Sequence, residues 1–159
     1  MALFNSITWL QIYVKFQYCS YQLSYAMYVP NNMKMPSECI ENFIKHHSFA
    51  LVVSSNLECT HVPLVLVASE DEQGVLYGHV AKANKHWQAL NNQSVVAIFS
   101  GPHAYISPTW YDSKHAVPTW NYAAVHCTGT AYVLSAEETS NVMNLFVQFY
   151  EPSLATNST

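Results

Sequence analysis

The sequence predicts a mainly β domain of the α+β kind, a small barrel of antiparallel strands with peripheral helices. Apolar runs of strand length recur along the chain, and a polar turn at residues 70–74 joins two of them as a hairpin. Helical periodicity is confined to three short segments. The predicted strands cover residues 48–54, 59–69, 75–81, 94–100 (extended by 104–106) and 120–134, the last with a bulge at Gly129.

The predicted helices have recognisable starts and one apolar face each. Ser37 is the expected N-cap of the first helix, and Ser135 with Glu138 forms a capping box for the last. A short helix over residues 82–90 lies between two strands, and residues 151–159 are expected to be a flexible tail. The apolar faces consist of Ile40, Phe43, Ile44 and His47 in the first helix, and Val142, Leu145, Phe146 and Phe149 in the last.

Residues 1–26 differ from the rest of the chain. They are rich in aromatic, Ser and Gln residues and carry a single charge, at Lys15. We predict an extension outside the fold, followed by one domain over residues 27–150, with Met27 as a plausible original start. Two alternatives stay open: a signal peptide, because residues 24–26 (SYA) resemble a cleavage site, and an extra strand or helix packed on the domain.

The composition limits the functions that this chain can have. Half of the 159 residues are hydrophobic and 10% are charged, where about a quarter is usual. Such a surface favours a partner, and a second copy of the chain is the simplest one. The net charge is −4 and arginine is absent. Since DNA-binding domains present a basic face to phosphates, direct DNA binding is doubtful.

The cysteines and the hydropathy indicate a cytoplasmic protein. The four cysteines include no CxxC pair and show no zinc-ligand spacing. A chain with this much apolar core needs no disulfide framework, so we expect reduced thiols. No apolar run reaches the length of a transmembrane helix.

An aromatic stretch at residues 99–126 stands out because prolines interrupt it. A strand, a stiff loop and a second strand would fit this pattern. The rings could line a pocket for a flat ligand, or they could form ordinary core at one end of the barrel. The aromatic residues are Phe99, Tyr105, Trp110, Tyr111, Trp120 and Tyr122, with Pro102, Pro108 and Pro118 between them.

Catalytic and metal signatures are missing. No nucleotide-binding glycine motif, HExxH or GxSxG occurs. His46 and His47 are adjacent and cannot easily face one metal from a helix, whereas His61 and His79 lie on neighbouring predicted strands. Since no carboxylates accompany them, we predict neither a metal site nor a catalytic residue. Cys127, inside an apolar strand, is expected to be inert.

One polar segment could hold a phosphate. Residues 77–87 (YGHVAKANKHW) end a strand in a Lys-Ala-Asn turn and enter a helix. Backbone N–H groups and a lysine at a helix start attract anions. Thr60 and His61, on the adjacent strand, add a hydroxyl and an imidazole. The alternative is a surface lysine near an ordinary helix start.

Four strings in order make the chain resemble the PaiB-type family of FMN-binding negative transcriptional regulators: MYVP, CTHVP, GHVAKANKHW and FSGPHAYISPTWY with VPTWNYAAVH. The resemblance covers about residues 27–149. It implies the FMN-binding split-barrel fold and a homodimer with FMN at its interface. It also implies a phosphate held by Arg, Lys, Ser or Thr at the ends of two adjacent strands.

The resemblance also implies the cofactor-binding residues. Thr60 and His61 stand on the first phosphate-side strand. The second phosphate-side group comprises Gly78, His79, Lys82, Ala83 and Asn84, with Trp87 packing behind it. The aromatic side of the cleft comprises Ser107, Trp110, Trp120 and Asn121.

The sequence departs from the family pattern in three ways. Lys82 replaces the usual arginine, and lysine lacks the planar two-pronged grip of arginine on phosphate. The chain ends after its C-terminal helix, where the family usually continues, so we expect a C-terminally truncated barrel that has either an open edge or a missing dimer contact. Residues 1–26 precede the usual start of the family.

Three functional hypotheses follow. The first is a non-catalytic, FMN-binding regulatory homodimer that influences transcription indirectly, through a partner or a metabolite. The second is an FMN-dependent oxidoreductase on the same fold, with His79 or His103 passing protons. The third is a degenerate, truncated copy that binds nothing.

Overall fold

The strands of the protein close into an antiparallel barrel in a computed structural model that describes residues 11–20, 29–71, 74–112 and 115–155. In these ranges the order around the barrel is β1-β4-β3-β2-β5-β6. The mainly β prediction is therefore confirmed. The strands are β1 (Gln11–Ser20), β2 (Phe49–Ser54), β3 (Cys59–Val67), β4 (Val75–Ala81), β5 (Gln93–Ile106) and β6 (Thr119–Val133).

The helices lie between the strands and after them, as the periodicity predicts, but the helix expected over residues 82–90 begins only at His86. They are α1 (Ser37–His46), α2 (His86–Leu90), α3 (Ala136–Tyr150) and α4 (Pro152–Ala155). The capping box of α3 is present, because the N–H of Glu138 donates to Ser135 Oγ and the N–H of Ser135 donates to a Glu138 carboxylate oxygen.

One prediction about a helix end is wrong, and the expected C-terminal tail begins with a short helix. The N-cap of α1 is Pro36, because Ser37 already has helical geometry and makes no capping hydrogen bond. Part of the expected C-terminal tail is ordered: α4 follows α3 directly, and the N–H of Leu154 donates to the carbonyl of Glu151. Residues 156–159 of that predicted tail lie outside the described part of the chain.

The barrel interior is an apolar core closed by two of the helices. Alternate residues of each strand point inward, so Val52, Leu64 and Phe99 are fully buried. Ile44 of α1 and Leu90 of α2 join the same cluster with no exposed surface. These helices therefore contribute directly to the stability of the barrel.

The outer surface of β3 and β4 is covered by α3. Val65 and Tyr77 face outward from the strands and pack against Val142 and Phe146 of the helix. The Tyr77 hydroxyl donates a 2.5 Å hydrogen bond to the carboxylate of Glu70. Burial, together with that bond, raises the pKa of Tyr77. A neutral phenol thus holds the β3–β4 hairpin.

Strand β1 corrects the prediction that residues 1–26 lie outside the fold. Val14 stands opposite Gly78 of β4 on one side and Val133 of β6 on the other. Val14 is 0% and Phe16 3% exposed, because both side chains face the core. The strand closes the barrel edge that the expected truncation could leave open. Residues 1–10 and 21–26 lie outside the described ranges.

Strands β5 and β6 continue past their other neighbours as a two-stranded arm. The pairing of β2 with β5 extends from Val95 to Ile98, whereas β5 and β6 pair as far as Ile106 opposite Thr119. The register shifts between Ser100 and His103. Gly129, where we predict a bulge, pairs with Val95 of β5 in continuous register. The irregularity at this level is in the pairing with β1, where the register shifts between Gln17, opposite Thr130, and Ser20, opposite Thr128. We call residues 102–106 and 117–122, with the connecting loop, the aromatic arm.

Candidate functional site

The predicted phosphate-side residues lie where β2 and β4 end and β3 begins. Because β3 and β4 run antiparallel, the start of β3 at Cys59 lies beside the end of β4 at Ala81. The chain then turns sharply through residues 82–85, and the N–H of Asn84 donates to the carbonyl of Ala81 at 2.9 Å. We call residues 82–85 the lysine turn.

A group of polar side chains fastens the lysine turn to β2 and β3. Thr60 Oγ1 lies 3.1 Å from Asn84 Nδ2 and 2.9 Å from His86 Nδ1. His86 Nε2 lies 2.7 Å from Ser54 Oγ, which is 2.6 Å from Asn56 Oδ1. His86 itself is only 4% exposed. We call these five residues the His86 cluster.

One proton arrangement gives each donor of the His86 cluster an acceptor. In this arrangement the Asn84 amide donates to Thr60 Oγ1, and the Thr60 hydroxyl donates to His86 Nδ1. The remaining ring proton of a neutral imidazole is then on Nε2 and donates to Ser54. The Ser54 hydroxyl in turn donates to Asn56 Oδ1.

Burial keeps the His86 ring neutral. Removal of the ring from water lowers the pKa of His86, and the carboxylate of Glu58 opposes this only in part. The backbone N–H of His86 also donates to Asn84 Oδ1 at 3.1 Å. The backbone of His86 therefore holds Asn84 directly, and its ring holds Asn84 through Thr60.

The lysine turn presents its charges to solvent. Lys82, Ala83 and Lys85 are exposed, whereas Asn84 is half-buried. Trp87 lies behind the turn, and its indole N–H donates to the carbonyl of Lys82 at 3.1 Å. The backbone of the turn is thus fixed while its two ammonium groups stay accessible to an anion.

Three other predicted phosphate-side residues point elsewhere. His61 is exposed and stacks on Phe49 on the outside of the barrel. His79 also faces outward, with its ring edge-on to Phe146 of α3, and burial lowers its pKa. Gly78 is buried, and a Cβ there would lie 2.6 Å from Leu64 Cδ2. The structure therefore groups Thr60 with the lysine turn but not with these three residues.

The predicted aromatic residues are exposed on the aromatic arm. Trp110 is 68% and Trp120 59% exposed. Trp120 contacts the rings of His103 and Tyr105, with centroids 5.6 Å and 6.1 Å away. Because they face solvent, these rings do not form the core of the barrel end.

Two polar residues accompany the rings of the arm. Ser107 Oγ accepts the N–H of Thr109 and starts the 3-10 turn Pro108–Trp110. Asn121 is exposed and pairs with Ala104 across the arm. Neither side chain reaches the lysine turn, because the arm extends from the other end of the barrel.

The length of β5 gives the distance between the aromatic arm and the lysine turn. Val95 stands opposite Ser54 of the His86 cluster, and Tyr105 stands opposite Trp120. Ten residues of extended strand separate them, or about 30 Å at roughly 3.3 Å per residue. One chain alone therefore cannot place both groups around one flavin.

A groove on the outer face of β2, β5 and β6 opens at the end of the barrel that carries the His86 cluster. Its volume is about 620 Å³, and its lining includes Val53, Val96 and Thr128 together with Ser54. The groove is shallow and open to solvent rather than enclosed. Ser54 borders this groove, while its buried side chain faces the barrel interior and bonds to His86.

Sequence reasoning missed His86 and Ser54 as members of the site. His86 lay inside the GHVAKANKHW string, but its role there was not apparent. A usable signal existed at Ser54, a polar residue at an inward-facing position of an otherwise apolar strand. Buried polar side chains require partners, so this position predicted a second polar group nearby.

In the described ranges, no three His, Cys, Asp or Glu side chains are grouped closely enough to hold a metal ion. Of the helices within those ranges, none is long and apolar enough to cross a membrane.

The six-stranded barrel with peripheral helices defines a protein of the split-barrel class. The chain belongs to the family described as "Putative FMN-binding domain", whose family model matches residues 27–159. This confirms the resemblance to the PaiB-type family. Strand β1 precedes the matched region.

Three relatives are similar to this chain over part of their length. Protease synthase and sporulation protein PAI 2 of Bacillus subtilis is 38% identical over 130 residues, covering 79% of this chain and 62% of that protein. Uncharacterized protein YKL070W of Saccharomyces cerevisiae is 36% identical over 80 residues, covering 47% of each chain. Uncharacterized protein AN0679 of Emericella nidulans is 33% identical over 135 residues, covering 68% of this chain and 52% of that protein. The chain thus spans about half to three-fifths of the length of these relatives.

Proposed function

We propose that this chain binds FMN and acts as a cytoplasmic, non-catalytic regulatory protein, assembled as a homodimer. The observation that carries the proposal is the lysine turn, which a protein of the FMN-binding family holds rigidly beside Thr60 with both ammonium groups exposed. FMN, when bound, supplies an isoalloxazine ring that can accept electrons.

The lysine turn fits the phosphate of FMN. A phosphate needs positive charge and hydrogen-bond donors, and Lys82 and Lys85 supply both. Thr60 has a supporting role, since its hydroxyl proton is already donated to His86. Lysine gives a point charge where the family has arginine, so the grip on phosphate is electrostatic rather than bidentate.

A flavin ring on this protein needs two copies of the chain if the arm is to cover it. The arm and the lysine turn are at opposite ends of one barrel, and the groove beside Ser54 offers the ring a floor but no aromatic cover. A second copy could bring its arm over that groove. The arm has the exposed apolar surface for such a contact, in Tyr105, Trp110, Tyr111, Val117, Trp120 and Tyr122.

The regulatory role in the proposal is indirect. The net charge of −4 and the absence of arginine give no basic face for DNA phosphates. Any effect on transcription would therefore pass through a partner or a metabolite. The Bacillus subtilis relative is named for protease synthase and sporulation, and that association with a cellular programme is what supports a regulatory role in this proposal.

Titration with FMN tests the proposal. Purified protein should quench FMN fluorescence on binding, and size-exclusion chromatography with light scattering should report a dimer. Lys82→Ala should weaken FMN binding about tenfold or more, since hydrogen bonds to charged groups contribute about 1.5–3 kcal/mol. Lys45→Ala, which removes an exposed lysine of α1, is the matched control.

Several outcomes would count against it. A protein that neither retains FMN nor takes up added FMN would overturn the cofactor assignment. Oxidation of NAD(P)H with turnover by the FMN-loaded protein would favour the oxidoreductase hypothesis over a non-catalytic role. A monomer that binds FMN as tightly as expected would show that one chain suffices.

A further inference from the structure

Ser54 and His86 of the His86 cluster are the buried polar residues in the described part of the chain, while Thr60 and Asn84 are half-buried and Asn56 is exposed. Apolar side chains would fill these positions at lower desolvation cost, since each buried polar group needs a partner. Here the hydrogen bonds extend from the lysine turn through Thr60 and His86 to Ser54, which borders the groove. The cluster thus fastens the lysine turn to the strand end beside the groove.

We propose that His86 is a positioning residue: as a neutral imidazole it fastens the lysine turn to β2 and β3, and its protonation releases the turn and weakens phosphate binding there. The phosphate part of this inference rests on the proposed function. The fastening of the turn does not, because it concerns hydrogen bonds within the chain alone.

The geometry explains why a second ring proton would break the arrangement. An N–H on His86 Nδ1 would point at Thr60 Oγ1, 2.9 Å away, which now donates to that nitrogen. The bond would have to reverse, and the Thr60 hydroxyl proton would lose its present acceptor. A positive charge would also be placed in a site with 4% exposure.

The charged groups around His86 do not compensate for such a charge. Glu58, on the β2–β3 turn, is the carboxylate that acts on the ring, and it only partly opposes the lowered pKa. Lys82 and Lys85, on the lysine turn, would repel an imidazolium. Strands β5 and β6, which contact α2, have no acidic or basic side chain over residues 93–99 and 128–133 apart from the Tyr132 phenol. On β3, the neighbouring His61 faces outward and is exposed.

The first experiment needs no ligand. The ¹⁵N shifts of the His86 ring should show the proton on Nε2 at pH 7.5. In His86→Phe, the backbone amides of Asn84 and residue 86 should exchange with solvent up to about tenfold faster, because a lost hydrogen bond contributes about 0.5–1.5 kcal/mol. Amides of the β2–β5 ladder should keep their protection. Unchanged exchange at Asn84 in a folded variant would overturn the positioning role.

A pair of variants at Thr60 covers the case in which His86→Phe fails to fold. Thr60→Ser keeps the hydroxyl and should behave as the unchanged protein, whereas Thr60→Val removes it and should loosen the lysine turn. Equal amide exchange in the Ser and Val variants would contradict the hydrogen-bond chain.

The second experiment follows FMN affinity against pH in the unchanged protein and in His86→Gln. The phosphate of FMN itself loses charge near pH 6, so the comparison between the two proteins isolates the histidine. Between pH 7.5 and 5.5 the unchanged protein should lose several-fold more affinity than His86→Gln. Parallel pH profiles would overturn the release by protonation. If the unchanged protein binds no FMN, the proposed function fails, and the exchange data alone decide whether His86 fastens the turn.

Discussion

Removal of residues 1–26 tests whether β1 belongs to the barrel. A chain that begins at Met27 contains the whole region matched by the family model but lacks β1. Strand β1 pairs with β4 over seven residues, from Gln11 opposite Ala81 to Gln17 opposite Val75, and it also pairs with β6. Without it, both neighbours become unpaired edges that invite aggregation.

The loss of stability follows from the two core side chains that β1 supplies. Val14 is 0% and Phe16 3% exposed, and full burial of such a side chain stabilises by about 1.5–3 kcal/mol. Together they contribute about 3–6 kcal/mol, a large part of the roughly 5–15 kcal/mol that holds a domain folded. At ~2–4 °C per kcal/mol, Tm should fall by roughly 6–24 °C.

Thermal melting followed by circular dichroism, together with light scattering, measures both effects. Val14→Ala with Phe16→Ala in the full chain should lower Tm without opening the edges, and Met33→Ala, an exposed residue, is the control. A synthetic peptide of residues 11–20 should raise the Tm of the shortened chain. The assignment of β1 is refuted if the chain from Met27 is monodisperse and melts at the temperature of the full chain.

Three further predictions concern packing, capping and pH. Gly101→Ala should destabilise the protein by about 1–3 kcal/mol in urea unfolding, because its Cβ would lie 2.7 Å from two ring carbons of Phe43; an unchanged midpoint would contradict this contact. Ser135→Ala removes the capping box and should lower the free energy of unfolding by about 1 kcal/mol, whereas Ser140→Ala, at an exposed position within α3, should leave it unchanged. Burial lowers the folded-state pKa of His86, so the unfolded chain binds more protons below about pH 6.5 and stability is lost as the pH falls from there. Tm should therefore drop between pH 6.5 and 5.5, and it should drop less in His86→Gln. An equal change of Tm with pH in the two proteins would refute this contribution of His86.

The sequence predicts most of the strands because each one is specified by the residue pattern of its own segment. Each predicted run alternates between core and surface or is apolar throughout, and each is bounded by turn residues. The capping box of α3 was equally visible, since Ser135 and Glu138 lie three residues apart. The N-cap of α1 was misplaced by one residue because Pro36 fits the position before the first helical turn as well as Ser37 fits an N-cap.

The position of β1 could not be predicted from local patterns. Its two partners, β4 and β6, begin at Val75 and Thr119 and are far from it in sequence. Consecutive strands usually pair with each other, and that rule places β1 beside β2 instead. The vacant position between β4 and β6 becomes visible only when the other five strands are in place.

Sequence reasoning predicted the part of the candidate site that strand pairing alone brings together. Thr60 lies at the start of β3, and Asn84 follows the end of β4. Antiparallel pairing of these strands brings the two residues together, and their side chains lie 3.1 Å apart. The aromatic residues were grouped with them by family resemblance alone. The length of β5 separates the two groups, and a sequence pattern does not show where along a long hairpin the neighbouring strands stop.

The arrangement of polar and apolar groups in the barrel argues for preorganisation of the lysine turn. Two like charges on a short turn repel each other and favour an open loop. This protein opposes that tendency by holding the turn from three sides, through Thr60, His86 and the indole of Trp87. A ligand phosphate that meets a turn already held in place loses less affinity to ordering of the protein. The hydrogen bonds behind the lysines can therefore offset part of the affinity lost when lysine replaces the arginine of the family.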